Sequence, residues 1–180
     1  MSLLARSLGL ILLMAATPAV PQGYLAPPEP ERVWLAAHNI AREEVGLAPL
    51  RWNPALASDA EDWAIHLAQR RTFGHAPHDA RKGQGENLWR GSRDRYSPWQ
   101  MISAFVAEKH DFRPGTFPDV SRTGRWSDVG HYTQIIWPDT QEVGCATALN
   151  RNHEVLVCRY WPAGNVMGTR LDPAERLTRR

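Results

Sequence analysis

The 180 residues suit one domain with a sizeable core, and 43% apolar against 22% charged side chains argues against a disordered chain. A formal net charge of +2 gives no sign of a nucleic-acid partner, and Arg176, Arg179 and Arg180 read as a solvated basic tail.

The first residues read as an export signal. Arg6 is the positive flank, Leu8 to Ala16 is an apolar stretch of nine, and Thr17-Pro18-Ala19 supplies the small residues before a cleavage site after Ala19. Nine apolar residues are too few to span a bilayer, which needs about 20. No later segment is long enough to do so, and the expectation is a secreted protein, extracellular or periplasmic, without a transmembrane segment. Two cysteines, Cys145 and Cys158, lie 158 − 145 = 13 apart. An oxidising compartment lets them pair, tying together two segments that read as neighbouring strands. Two cysteines alone make no zinc site, and neither belongs to a CxxC motif.

Residues 20–30, with Pro21, Pro27, Pro28 and Pro30, read as an extended lead-in. A helix is predicted from Glu31 to Val45, with Val33, Ala37, Ile40 and Ala41 as its buried stripe and Gly46 as its end. His38, Asn39 and Arg42 on this helix read as a solvated face. Asn53-Pro54 opens a second helix that buries Leu56, Ala60, Trp63, Ala64 and Leu67, leaves His66 exposed, and stops near Arg71. Residues 74–91 are glycine-rich and read as loop. They carry Glu86-Asn87 inside GENLW, where the carboxylate is either functional or a turn residue bonding local backbone.

Ser97-Pro98 opens a third helix running to about Asp111, with Ile102, Phe105 and Val106 inward. Glu108 near its end meets the negative pole of the helix, unfavourable by roughly 0.3 to 1 kcal/mol, so another group is expected to hold it. Residues 112–129 form a long loop in which Phe112, Phe117 and Trp126 make either an exposed apolar lip or local core.

Gly130 to Trp137, GHYTQIIW, sets polar groups against an apolar run. His131 is either the anchor of a polar pocket or a core-edge histidine, and the run suits a strand or a short helix. Val143–Leu149 and Glu154–Trp161 read as an antiparallel pair, and the tail after Pro162-Ala163-Gly164-Asn165 as irregular.

GHYTQIIWPDTQEVGCA followed by VLVCRYWPAGN, preceded by GENL and by HNIAR, closely resembles the CAP superfamily of cysteine-rich secretory, antigen-five and pathogenesis-related proteins. The resemblance runs over residues 31–168, with 169–180 as the basic tail. It implies an α+β fold, a single-domain α-β-α sandwich with a small antiparallel sheet between helical layers, in which TQIIW becomes a short helix. It also implies a cavity lined by His75 in GHAPH, Glu86 in GENL, Glu108 in FVAEKH and His131 in GHYTQ, supported by Asn87 and Gln134. His78 is the alternative to His75.

Two imidazoles and two carboxylates can share protons or hold a divalent ion, Zn2+ first, with neutral histidines as ligands and carboxylates orienting them. The competing reading is a buried polar network without an ion. Some relatives bind sterols or other lipids at an aromatic loop. Here His110, Phe112 and Phe117 occupy its three aromatic positions, so two match. The expected function is a ligand-binding or interaction module whose partner is an extracellular protein or a lipid. The rival is a metal-dependent extracellular hydrolase, a protease or esterase using Glu86 or Glu108 as base. No GxSxG or HExxH motif supports that rival.

Overall fold

The structure is a computed structural model that describes residues 29–172. The export signal, most of the proline-rich lead-in and the last residues of the basic tail lie outside the described residues.

Among the described residues, four α-helices and two small sheets build three layers. The central sheet contains β1 (Arg51–Trp52), β2 (Gly85–Ser92), β4 (Glu142–Leu149) and β5 (His153–Trp161), in the order β1-β4-β5-β2. β4 and β5 form the expected antiparallel hairpin, β2 runs antiparallel to β5 on its outer side, and β1 is parallel to β4. Cys145 and Cys158 face each other across the hairpin and are joined by a disulfide. One face of the sheet packs α2 (Pro54–Arg70) through Ala60, Ala64 and Leu67 against Leu88, Val155 and Val157. The other face carries the larger core, with α1 (Glu31–Glu43), α3 (Pro98–Val106) and α4 (Gly130–Ile135) against Val143, Leu156 and Tyr160. This is the α-β-α sandwich. Among the described residues no helix is long and apolar enough to cross a membrane.

Local chemistry sets the helix boundaries. Asn53 Oδ1 accepts hydrogen bonds from the backbone N–H groups of Ala55 and Leu56, with Pro54 at the first helical position, and Arg71 closes α2 in the left-handed region at φ 54°. Ser97 and Gln100 form a capping box at the start of α3.

Four expectations need correction, and one open alternative is decided. The buried stripe of α1 is Trp34, Ala37, His38, Ala41 and Arg42, whereas Ile40 is exposed and Val33 only partly covered. Hydrophobic periodicity misplaces the stripe because two polar side chains with buried partners take apolar positions. Residues 85–92 are a strand rather than loop: both faces of its first half are covered, so Gly85 to Leu88 are buried in succession and no alternation betrays them. The third helix ends at Val106 and continues as a 3-10 turn over Ala107–His110. In the long loop Phe112 and Phe117 are buried in the main core, so local core is the arrangement found; Trp126 is exposed. The tail is not irregular at 170–171, where β6 (Arg170–Leu171) pairs with β3 (Gly115–Thr116) and Leu171 enters the core.

Candidate functional site

Each histidine of the expected quartet is held by a buried or half-buried carboxylate, and the two pairs stand on different elements. Glu86 is the second residue of β2, opposite Arg159 in β5. Its Oε2 lies 3.0 Å from Arg159 Nη2, both side chains being almost completely buried. Its Oε1 accepts hydrogen bonds from His75 Nδ1 at 2.7 Å and from the backbone N–H of Ala76 at 3.0 Å. A carboxylate only accepts, so the His75 proton sits on Nδ1 and Nε2 is left with no hydrogen-bond partner among the described residues.

Glu108, in the 3-10 turn after α3, reaches the start of α4. Its Oε2 accepts from the backbone N–H groups of His131 and Tyr132 at 2.9 and 3.1 Å, and its Oε1 accepts from His131 Nδ1 at 2.5 Å. The acid that is misplaced with respect to its own helix is thus placed at the positive pole of another. At the opposite end of α4, the buried Arg42 donates to the carbonyls of Ile135 and Trp137, and also to Ala48 and Thr140. A helix of six residues therefore has an anion at its N-terminus and a cation at its C-terminus. The Phe105 ring stacks on His131, with centroids 4.8 Å apart. His131 Nε2, like that of His75, has no hydrogen-bond partner among the described residues.

His75, Glu86 and His131 line one cavity of about 540 Å³, together with Asn87, Gln134 and Trp126. Glu108 stands behind His131. His78 lines the same cavity but makes no bond to a carboxylate, so the structure favours His75 as the paired histidine.

The wall is fixed from behind. Asn87 Nδ2 donates to the carbonyl of His131 and to the hydroxyl of Tyr160. Tyr160 in turn meets His38 Nε2 at 2.8 Å, and His38 Nδ1 lies 2.7 Å from the Trp34 carbonyl. Because that carbonyl only accepts, His38 donates through Nδ1, and Tyr160 donates its proton to His38 Nε2. Burial pushes His38 down to about 4; the neighbouring Arg42 charge also lowers it, against the bond to Trp34. Gln134 accepts from the Gly164 N–H and donates to Thr140. It also lies so close to Gly85 that a Cβ there would stand 2.1 Å from Gln134 Oε1.

Of the six residues expected at the cavity, His75, Glu86, Asn87, His131 and Gln134 line it and Glu108 does not, whereas HNIAR was misread. His38, Asn39 and Arg42 are not a solvated face: each bonds into a neighbouring segment, Asn39 by exchanging hydrogen bonds with the Leu50 backbone. The signal was present in the i, i+4 spacing of His38 and Arg42 on the same side as Trp34, Ala37 and Ala41. Arg159 was missed as well, although a strand pairing with the hairpin would set it opposite Glu86.

As metal donors, the four side chains form two dyads and do not crowd together. Among the described residues the ligand atoms that gather within 4.8 Å belong to His38, Cys145 and Cys158, and both of those sulfurs are in the disulfide. A cation between the dyads would meet two imidazoles, with the carboxylates behind them. Phe112 and Phe117 lie in the core, and Trp126 is the aromatic that faces the cavity.

The profile of the cysteine-rich secretory protein family, CAP, matches residues 35–160. The chain belongs to the CAP family. Pathogenesis-related protein 1B of Nicotiana tabacum is 35% identical over 137 residues, 75% of this chain and 76% of the relative. Pathogenesis-related leaf protein 4 of Solanum lycopersicum is 34% identical, over 76% of this chain and 80% of the relative. Among solved structures, that of NaASP2 with Zn2+ superposes with a TM-score of 0.65 at 24% identity, over 81% of this chain and 88% of the other. Venom allergen-like protein 4 of Schistosoma mansoni gives 0.60 at 19% identity, over 83% of this chain and 99% of the other. These two share the fold of this CAP chain.

Proposed function

We propose that this CAP protein is an exported ligand-binding or interaction module whose His75/His131 cavity holds a divalent cation, zinc first. The observation that carries the reading is the state of the two histidines. Each donates Nδ1–H to a carboxylate and keeps Nε2 unbonded, which is how protein imidazoles are fixed for metal ligation. NaASP2, which shares the fold, was crystallised with Zn2+. When bound, zinc would supply a positive charge in a half-open cavity, its remaining positions left to water or to an anionic group of a ligand. His75 and His131 would hold it, and Glu86 and Glu108 would orient them.

The hydrolase reading draws less support. A general base needs an oxygen within reach of a substrate, yet both oxygens of Glu108 are bound by His131 and Tyr132, and in Glu86 Oε1 is bound by His75 and Ala76 while the fully buried Oε2 is ion-paired with Arg159. The lipid reading loses its loop, since Phe112 and Phe117 are core residues. Export agrees with the disulfide and with the secretory description of the family.

Zinc titration of metal-stripped protein by calorimetry tests the reading. One site per chain is expected, absent in His131→Ala and in His75→Ala while both variants keep the far-ultraviolet spectrum of the parent. Chelator-sensitive turnover of peptide or ester substrates that disappears in Glu86→Gln would replace the binding reading with the hydrolase.

A further inference from the structure

At the far end of β2 and β5 from the His/Glu cavity lies a second hollow, of about 430 Å³, whose lining holds Arg71, Arg90, Arg151 and His153 and no acidic residue. None of the three arginines is ion-paired among the described residues, whereas Arg93 close by is paired with Asp94. Strand alternation explains the imbalance: Arg90 and Val155 point to the α2 side of the sheet. Glu154, between His153 and Val155, turns to the opposite face, where it meets Thr147, Asp94 and Arg93.

Arg90 is held through its side chain, and Arg71 and Arg151 are positioned through their backbones. Arg90 lies over the Phe73 ring, its guanidinium carbon 4.9 Å from the centroid. Arg151 rides on a turn in which Asn150 Oδ1 accepts from the N–H groups of Asn152 and His153. Asn150 Nδ2 donates to the Ala68 carbonyl, which ties that turn to the last turn of α2. Arg71 occupies the position after α2 at φ 54°, where glycine is the usual residue, so this arginine is kept at a conformational cost. The negative pole of α2 ends at this position, which favours a cationic residue there.

We propose that this pocket binds a phosphate or sulfate monoester. Guanidinium groups offer planar pairs of donors that match an oxyanion's edge, and three of them without counter-ions draw such a group from solution. A water molecule occupies about 30 Å³ in the liquid, so the hollow has room for an oxyanion and for the organic part that carries it. Thr72 and Asn152 offer neutral donors, and Val155 an apolar floor.

The test uses metal-stripped protein, so that an ion in the His/Glu cavity cannot provide the anion site. Three probes are titrated: inorganic phosphate, glucose 6-phosphate, and phosphatidylcholine vesicles with and without 10% phosphatidylinositol 4-phosphate. Binding of glucose 6-phosphate tighter than inorganic phosphate identifies a soluble ester as the ligand; binding only to the phosphoinositide vesicles identifies a lipid headgroup; either supports the pocket. In both cases affinity is expected to fall at least tenfold in Arg71→Gly and in Arg151→Gln, and to weaken with added salt. Arg71→Gly relieves a strained position and is expected to melt at or above the parent, so loss of binding cannot be ascribed to unfolding. Absence of binding to both ester probes, inorganic phosphate bound as tightly as the ester, or affinity unchanged in both variants would overturn the proposal.

Discussion

His38 shows how a residue that reads as surface can govern stability. It is fully enclosed, hydrogen-bonded at both nitrogens, and pushed down to about 4 against an ordinary value of 6.5. Between those limits the unfolded chain binds more protons than the folded one, so the contribution is complete above about pH 6.5 and is lost as the pH falls towards 4. It amounts to about 3 kcal/mol. Urea unfolding at pH 7.5, 6 and 5 is expected to show stability dropping over this window, with a flatter dependence in His38→Gln. An equal slope in both proteins would remove His38 as the cause. Spacing on α1 put His38 on the buried side, but its partner Tyr160, 122 residues away, could not be read from local pattern. His131 and Glu86 were legible for the converse reason: each sits in an intact run, GHYTQ or GENL, whose neighbours are fixed by the same local geometry.

At the scale of elements, α4 is the part whose existence depends most on the rest. Helices this short are marginal by themselves, and here Glu108 and Arg42 supply the partners its ends lack. Arg42→Met removes donors from four carbonyls and is expected to cost about 3 kcal/mol or more, measured by urea unfolding, with zinc affinity falling as His131 loses its support. A loss below about 1 kcal/mol would mean that the caps are incidental. Gly85→Ala tests the opposite wall. Its Cβ would collide with Gln134 Oε1, so Gln134 must move; a loss of about 1 to 3 kcal/mol is expected, together with weaker metal binding. Unaltered melting and zinc affinity would contradict that contact.

The β4–β5 hairpin was legible because alternation, turn residues and the cysteine spacing agree. β2 was not, because its first half is covered on both faces and carries no period-2 signal, which leaves too short a run to alternate. β3 and β6 are two residues each, shorter than any window in which periodicity can be seen.

The described residues form a sandwich with a hollow at either end of its β2–β5 pair, stapled by Cys145–Cys158. Closing a loop of this size restricts the unfolded chain by roughly 3 kcal/mol. Cys145→Ser/Cys158→Ser is expected to unfold at correspondingly lower urea, and identical melting with and without reductant would show that the bridge adds nothing. The sandwich itself was legible only through the combination of four motifs in order, since no single segment dictates three layers.

Side chains from the segment before β2 and from α4 are proposed to meet one cation. Diffraction at the zinc absorption edge, from crystals of the protein with zinc, tests this. One anomalous peak is expected in the cavity, bonded at about 2.0 to 2.1 Å to Nε2 of both His75 and His131. A peak bonded elsewhere, or none in the cavity with zinc present, would contradict it.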